Sequence, residues 1–217
     1  LQSFDYLAYR LTGNYVASSS SSGIKPWERK KIESAGLDID KFPSIRYMGQ
    51  EIGKTIPDAE IKLGIPAGIP VYAIGVDFAA ALVGTNMLRK GRSCERAGSS
   101  GGINLCWDSP VDDHRLLCYE HFIKNRWNIA GITSTYGKAI EWAKKTLGID
   151  PVEYLVAGRK PPRILFYPYL KGERTPLWNP FAKGMFIGLK ESHDPVDIMI
   201  AVCMGIAFSI RDCIEII

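Results

Sequence analysis

The sequence lacks the features that mark several large classes of protein. Its five cysteines contain no Cys-x-x-Cys pair, and its three histidines add no zinc-type spacing. The longest uncharged apolar run, residues 198–210, is shorter than the roughly 20 residues of a membrane-spanning helix. The net charge of +4 is spread along the chain without a long basic run. We therefore expect a soluble, cytoplasmic chain with reduced thiols, no metal site of its own, and no binding to nucleic acid or membrane.

The chain also lacks an initiating methionine. It begins at Leu1 within a helix-like pattern and stops at Ile217 within another, which is typical of a piece of something longer. Its 217 residues, 46% of them hydrophobic, are enough for one large domain or two small ones. Length and composition therefore predict a globular chain cut from a larger one.

An apolar run that ends on an isolated carboxylate is the most informative local pattern. Residues 71–76 predict a strand buried on both faces, and residues 78–83 predict a helix that opens at Asp77. Open α/β sheets bind ligands at strand-to-helix junctions of this kind. Asp77 either faces a ligand or caps the following helix, and the residue types alone leave both interpretations open.

A glycine and serine segment, Gly98–Gly102, separates two β-like runs at residues 93–97 and 103–107. This pattern predicts a hairpin. Unobstructed backbone N–H groups and the hydroxyls of Ser99 and Ser100 are suited to binding phosphate oxygens. The alternative is a plain flexible turn.

Two further motifs are weaker on residue types alone. Residues 131–139 resemble a P-loop, but five residues instead of four separate the glycines, and Ala139 replaces the hydroxyl residue, so a P-loop NTPase is not expected. Residues 172–176 (Gly-Glu-Arg-Thr-Pro) place opposite charges beside a stiffening proline, which is typical of a surface turn with a local ion pair.

The remaining helix-capping and loop-forming residues predict an α/β fold. Ser3 is expected to cap a first helix that ends at Gly13, and the serine run 18–22 predicts a loop. Residues 138–147 predict an amphipathic helix closed by Gly148. Asp194 with Pro195 predicts the start of a last helix, whose nearly all-round apolar surface indicates burial between layers.

Taken in this order, the segments resemble the FGGY family of carbohydrate kinases, with xylulokinase-like members nearest. The Gly172–Pro176 block is the most specific part of the resemblance, which covers most of the chain. The residues that carry it are Asp5-Tyr6-Leu7, Leu11-Thr12-Gly13, Gly75-Val76-Asp77, Ala79-Ala80-Ala81, Gly98-Ser99-Ser100-Gly101, Gly137, Trp142, Tyr167-Pro168-Tyr169-Leu170, Gly172-Glu173-Arg174-Thr175-Pro176, Trp178, Pro180, Ala182, Gly184, Gly188 and Leu189.

The resemblance implies parts of two α/β domains with an actin-like ATPase or ribonuclease-H-like fold. Residues 1–89 would end the N-terminal, sugar-binding domain, and residues 90–217 would begin the C-terminal, nucleotide-binding domain. The implied cofactors are ATP and Mg²⁺, which would meet a small sugar or polyol in the cleft between the domains. A homodimer is compatible with the resemblance.

The resemblance also assigns roles to individual residues. Asp77 matches the catalytic base, which takes the proton of the attacking sugar hydroxyl, and Phe78 stands at a substrate-contacting position. Glu173, Arg174 and Thr175 belong to a loop that would line the cleft. The residues that match nucleotide-contacting positions are Gly98, Ser99, Ser100, Gly101, Gly137 and Glu141.

Two substitutions and two missing segments depart from the family pattern. Phe78 replaces the usual Asn or Gln, Met204 replaces a usual Glu, and both the Asp-x-Gly-Thr phosphate loop and the adenine-binding segment are missing. We therefore expect the 217 residues alone to be inactive. The alternative function is a non-catalytic FGGY-like protein that binds a sugar or a partner.

Overall fold

The chain forms two compact units in a computed structural model, which describes residues 2–21, 25–151 and 158–217. The first unit contains Leu1–Arg89 together with Tyr119–Trp127, and the second contains Lys90–Cys118 together with Asn128–Ile217. The sequence did not indicate that residues 119–127 group with the first unit.

The first unit packs short helices on two two-stranded sheets. Strands β1 and β2 are parallel, with Ser19 opposite Tyr47, whereas β3 and β4 are antiparallel. A small core joins Ala8, Val16, Ile52 and Ala73. The elements are α1 (Ser3–Thr12), β1 (Val16–Ser19), α2 (Arg29–Ser34), a 3-10 turn (Ile39–Lys41), β2 (Ser44–Tyr47), β3 (Glu51–Lys54), α3 (Pro57–Leu63), β4 (Pro70–Tyr72) and α4 (Asp77–Gly84).

Helix α1 is held at its start by Asp5 and not by the expected Ser3 cap. Gln2 is the N-cap residue, and its N–H donates to Asp5 Oδ2 at 3.1 Å. The other oxygen of this buried carboxylate accepts the N–H of Ser18 at 2.8 Å, which ties α1 to β1. Gly13, at φ 75°, ends the helix as predicted.

The predicted loop over the serine run is wrong for Ser18 and Ser19, whereas Ser20 and Ser21 follow the strand as a bend. Ser18 and Ser19 lie in β1, and the side chains from Ser18 to Ser21 are all buried; Ser22 lies outside the described residues. Serine is common in loops, but pairing with β2 and close packing against Gly75 overrule that preference here.

The predicted strand over residues 71–76 is shorter and more exposed than expected. Strand β4 ends at Tyr72, and beyond it Ala73 and Gly75 are buried while Ile74 is 54% exposed. The run is therefore not buried on both faces. Its uniformly apolar composition concealed this alternation, because side chains of one extended segment point to opposite sides.

Strands β5, β6, β8 and β7 form a four-stranded sheet in that order, and all of it except the last two residues of β7 and the first residue of β8 belongs to the second unit. Strands β9 and β10 form a separate antiparallel pair. Helices α5 and α6 pack together through a core of Ala139, Ala143, Phe166, Met199, Val202 and Ile206. The elements are β5 (Ser93–Ala97), β6 (Gly101–Trp107), β7 (Leu117–Glu120), β8 (Trp127–Thr133), α5 (Gly137–Leu147), β9 (Leu165–Tyr167), β10 (Met185–Ile187) and α6 (Pro195–Ile216).

The C-terminus of α5 and the N-terminus of α6 confirm the helix-capping residues predicted from the sequence. Gly148, at φ 71°, closes α5, and Asp194 caps α6 by accepting the N–H of Asp197 at 2.9 Å. The expected all-round burial of α6 is wrong on one side, where Phe208 is 42% and Ile214 54% exposed. Among the described residues, no helix has the length and apolar character to cross a membrane.

Candidate functional site

Asp77 is the first residue of α4, at the junction that the sequence singled out. Its side chain is exposed, and Oδ1 accepts the N–H of Phe78 at 2.7 Å. Negative charge is favoured in the first turn of a helix, where the peptide N–H groups lack helical partners. The helix therefore presents the Asp77 carboxylate toward solvent and does not enclose it in the core.

The backbone that leads to Asp77 is fixed by contact with the end of the serine run. Gly75 has φ 70°, and a Cβ there would lie 2.7 Å from Ser20 Oγ and 3.0 Å from the Ser20 backbone. Ser20 Oγ also accepts the N–H of Val76 at 3.5 Å. Only glycine satisfies both the backbone conformation and this close approach, so Gly75 positions the Asp77 junction.

Phe78 is half-buried and packs edge-on against Tyr119, with ring centroids 5.4 Å apart. Such a pair adds about 0.5–1.5 kcal/mol beyond the area that it buries. The phenyl ring cannot make the hydrogen bonds of an Asn or Gln side chain. Any ligand contact of the Phe78 side chain is therefore apolar.

The glycine and serine hairpin forms as predicted, and its tip packs on the start of α5. The N–H of Gly137 donates to Gly98 O at 2.9 Å, and the N–H of Tyr136 donates to Ser99 O at 3.1 Å. The Tyr136 hydroxyl donates to Glu95 Oε1 at 2.8 Å. Carbonyl groups of the tip thus satisfy N–H groups at the beginning of the helix.

Two of the expected nucleotide-contacting glycines are required for this packing. A Cβ on Gly137 would lie 2.7 Å from Gly98 O, and a Cβ on Gly101 would lie 2.8 Å from Cγ of the Tyr136 ring. Both positions therefore hold the hairpin against α5, which is a structural role that the sequence did not reveal.

The remaining groups of the tip are directed to solvent. Ser99 and Ser100 are exposed, and within the described ranges neither uses its N–H or its hydroxyl in a hydrogen bond. Glu141 is also exposed, on α5. The tip consequently offers four donors, two N–H groups and two hydroxyls, that an anion could accept.

The Gly172–Pro176 segment, which we call the GERTP loop, is hydrogen-bonded to the end of β8 and is not a surface turn. Glu173 and Thr175 are 3% and 1% exposed. The Thr175 N–H donates to Ile132 O at 2.9 Å, and Thr175 Oγ1 accepts the N–H of Ile132 at 3.1 Å. Arg174 forms no ion pair with Glu173 in the described residues, and its guanidinium donates to Thr133 O at 2.7 Å.

Glu173 is a buried carboxyl at the centre of this loop. Its Oε1 accepts the N–H of Ser134 at 2.6 Å and that of Arg174 at 2.7 Å, whereas buried Oε2 has no partner in the described part of the chain. Burial raises the pKa of Glu173 above its ordinary value, although the two N–H donors oppose the shift. Glu173, Arg174 and Thr175 therefore have a structural role beside β8, and their position in a loop that lines the cleft stays a prediction.

Comparisons with known proteins identify the family. The model of the C-terminal domain of the FGGY family of carbohydrate kinases matches residues 106–217, and that of the N-terminal domain matches residues 1–84. The chain belongs to the FGGY family. The α/β fold of actin-like ATPase type, with parts of two domains, is confirmed by structural neighbours from the same family.

Curated members of the FGGY family match nearly all of this chain. The xylulose kinase of Escherichia coli (strain K12) is 28% identical over 229 residues, covering 98% of this chain and 47% of the relative. The gluconokinase of Bacillus subtilis (strain 168) is 28% identical over 232 residues, covering 95% and 45%. The chain therefore spans about half the length of the curated relatives that it matches.

Solved structures agree with these matches. The ligand-bound xylulose kinase from Lactobacillus acidophilus has a TM-score of 0.80 at 25% identity, covering 97% of this chain and 46% of that one. The gluconate kinase from the same organism has a TM-score of 0.79 at 26% identity, with the same coverage. The FGGY fold thus extends through both units of the chain.

Ser20 and Tyr136 were not predicted from the sequence as residues of the candidate site, and Glu173 was predicted only as part of a loop that lines the cleft. Ser20 supports the Asp77 junction, Tyr136 receives the hairpin, and Glu173 organises the GERTP loop. Their partners lie 39 to 56 residues away along the chain for the bonds Glu173–Ser134, Tyr136–Glu95 and Val76–Ser20. Local pattern carries no signal for such pairs; the proline-stiffened block at residues 172–176 was the one visible sign.

Glu173 gives a testable pH dependence. Because its folded pKa is raised above the unfolded value, the folded chain keeps a proton that the unfolded chain releases, so stability falls as pH rises from about 4.5 through the folded pKa. Glu173→Gln keeps an acceptor for both N–H groups and cannot ionise. We expect this variant to lose that part of the pH dependence, measured by urea unfolding at pH 5 and pH 8.

Two further variants complete this test. Glu173→Ala leaves the N–H groups of Ser134 and Arg174 without their acceptor and is expected to cost about 1–3 kcal/mol at either pH. Glu191→Gln, at an exposed position, is the matched control and should behave as the parent does. An unchanged pH slope in Glu173→Gln would show that the carboxyl is ionised throughout.

Proposed function

We propose that the complete protein transfers the γ-phosphoryl group of ATP to a hydroxyl group of a sugar or polyol. The observation that carries this proposal is Asp77, an exposed carboxylate held at the first turn of α4 in a chain of a carbohydrate kinase family. FGGY sugar kinases use ATP, and the named relatives are xylulose kinases and gluconokinases.

Asp77 would act as the general base of this reaction. In the described residues its carboxylate accepts one hydrogen bond, from the N–H of Phe78, which leaves a carboxylate oxygen available to a substrate hydroxyl. Phosphoryl transfer requires the protein mainly to position the reactants and to stabilise charge, with a carboxylate that orients the attacking oxygen. Gly75 and Ser20 supply the rigid support for that oxygen.

The hairpin tip would bind the nucleotide phosphates. The exposed donors of Ser99 and Ser100 fit a phosphate group, and docking on α5 keeps them in place. Gly98, Gly101 and Gly137 would allow the nucleotide close to the backbone, and Glu141 lies on the exposed side of α5. Nucleotide binding is therefore assigned to the edge where the hairpin meets α5.

Mg²⁺ is compatible with the residues present. Among the described residues, no three His, Cys, Asp or Glu side chains are placed so that together they could hold a metal ion. Mg²⁺ in kinases, however, takes most of its ligands from phosphates and water, with one or two carboxylates. Asp77 is the carboxylate that would approach it. When bound, the ion neutralises charge on the transferred group.

The acceptor is proposed to be a small sugar, sugar acid or polyol. Phe78, packed on Tyr119, would meet it with an apolar ring edge where related enzymes hydrogen-bond a hydroxyl. The substrate preference is therefore expected to differ from that of relatives with a polar residue at this position.

The complete protein and the 217-residue chain are expected to differ in a coupled assay. Catalysis requires every substrate-positioning element at once, and the chain spans 47% of a typical relative. We expect sugar-dependent release of ADP from the complete protein over a panel of ketoses, aldoses, polyols and sugar acids, and none from the 217 residues.

Two outcomes would contradict these statements. Robust turnover by the 217 residues would show that the chain is catalytically sufficient. Ligand binding by the complete protein without turnover on any member of the panel would instead support the non-catalytic FGGY-like protein.

A further inference from the structure

The first unit also contains a concave surface, and Asp77 is not among the residues that line it. It is a pocket of about 390 Å³, within the range of small-molecule sites. Its lining combines Ser20 and Ser21 with residues of the 119–127 segment, all of which belong to the first unit. We call it the serine pocket, defined by Ser20, Ser21, Met48, Lys124, Arg126 and Trp127.

The position of the serine pocket in the fold favours ligand binding. Ser20 and Ser21 follow the last residue of β1, and Met48 follows the last residue of β2, its parallel partner. Carboxyl ends of parallel strands carry the binding crevices of open α/β sheets. Ser20 and Ser21 thus line a pocket at the carboxyl end of β1, which accounts for small polar side chains at these positions.

A buried and unsatisfied hydroxyl lines the pocket. Ser21 is 6% exposed, and its Oγ has no hydrogen-bond partner in the described residues. A buried hydroxyl without a partner is costly, and such groups in folded proteins call for an explanation such as a bound ligand or water. The Ser21 hydroxyl is therefore a candidate ligand contact.

The charge balance of the lining is positive. Lys124 is exposed with no partner among the described residues, and Arg126 is half-buried, with one guanidinium nitrogen on Asn125 O at 2.9 Å. Glu120 is a carboxylate in the same lining. The lining therefore has two cationic side chains and, among the described residues, one carboxylate.

His121, which also lines the pocket, is fixed in its neutral form. Its Nδ1 accepts the N–H of Ile123 at 3.0 Å, so Nε2 carries the proton and donates to Met87 O at 3.1 Å. Burial lowers the pKa of His121, which agrees with a neutral ring. The positive charge of the pocket at neutral pH therefore comes from Lys124 and Arg126 alone.

We propose that the serine pocket binds a small organic anion that also carries hydroxyl groups. Lys124 and Arg126 would bind the carboxylate or phosphate group, Ser20 and Ser21 would hydrogen-bond its hydroxyls, and Trp127 with Met48 would cover its carbon chain. A sugar acid and a sugar phosphate share this chemistry. The proposal does not depend on the phosphoryl-transfer activity, because Ser21, Lys124 and Arg126 are not assigned to that reaction. Ser20 is the one pocket residue that also supports the Asp77 junction.

Thermal unfolding of the complete protein tests the proposal with four probes. D-gluconate and D-ribose 5-phosphate are the organic anions, D-glucose is the neutral sugar, and sodium phosphate at matched ionic strength is the bare anion. A ligand that binds the folded state raises the unfolding temperature. We expect one or both organic anions to do so at concentrations where glucose and phosphate do not, and the stronger one distinguishes sugar acid from sugar phosphate.

Two charge-removing variants of the pocket and one control variant locate the binding site. Lys124→Gln and Arg126→Gln are each expected to weaken the anion about tenfold or more, because each removes a charge-assisted hydrogen bond. Lys54→Gln, an exposed lysine on β3, removes the same charge elsewhere and should leave the affinity unchanged.

Ser21→Ala gives a readout that a structural role would not produce. Since Oγ has no partner to lose in the described part of the chain, the ligand-free unfolding temperature should stay the same or rise, while the affinity for the anion falls. The proposal is overturned if neither organic anion binds, if glucose or phosphate binds equally well, or if the three pocket variants bind as the parent does.

Discussion

Replacing Asp77 with asparagine in the complete protein is expected to lower kcat by about 10²- to 10⁴-fold. The amide oxygen of Asn can still accept the N–H of Phe78, so α4 should begin as it does in the parent. The amide cannot take a proton from the attacking hydroxyl. Affinity for a non-hydrolysable ATP analogue, measured by calorimetric titration, should stay close to that of the parent, because the proposed phosphate donors lie on the hairpin tip.

Asp58 provides a matched control for this substitution. It is also an acidic residue in the first turn of a short helix, α3, and it pairs with Lys62 at 2.9 Å on the exposed surface. Asp58→Asn is expected to change stability by less than about 1 kcal/mol and to leave kcat unchanged. Near-normal turnover in Asp77→Asn, or an equal loss in Asp58→Asn, would refute the assignment of Asp77 as base.

Replacing Gly137 with alanine is expected to separate the hairpin from α5. Alanine is intrinsically better than glycine in a helix by about 1 kcal/mol, so propensity alone predicts a more stable protein. The Cβ would nevertheless lie 2.7 Å from Gly98 O, a backbone atom that cannot rotate away. We expect a net loss of about 1–3 kcal/mol in urea unfolding, and an affinity for the ATP analogue at least tenfold lower.

Gly84 is the appropriate control for Gly137. It lies at the end of α4, its backbone has no positive φ, and a Cβ there would contact nothing within 4 Å. Gly84→Ala should be neutral or slightly stabilising. If Gly137→Ala is also stabilising and binds the analogue normally, the docked hairpin is not what positions the nucleotide.

The elements that the sequence predicted well are those specified by local pattern. The helix at Asp77, the hairpin around Gly98–Gly102 and the closure of α5 at Gly148 each depend on residues within a few positions. Apolar periodicity, turn residues and helix-ending glycines act over that range. The corresponding predictions were correct to within one or two residues.

The elements that it missed depend on contacts between distant residues. The serine run reads as a loop, yet pairing of β1 with β2, about 28 residues away by register, makes its first half a strand. The charges of the GERTP loop predict a surface turn. Glu173 is nevertheless buried, and its carboxylate accepts the N–H groups of Ser134 and Arg174. No local rule distinguishes a solvated glutamate from one that a remote strand encloses.

The return of residues 119–127 to the first unit limits how the protein can be divided. The Met87–His121 hydrogen bond and the Phe78–Tyr119 ring pair both join this excursion to residues that precede position 90. A chain cut between Arg89 and Lys90 would remove the buried His121 imidazole from the first unit, together with the hydrogen bond that it donates to Met87 O. Domain dissection therefore has to carry the 119–127 segment along, for example through a short linker from Arg89, before either half can be studied alone.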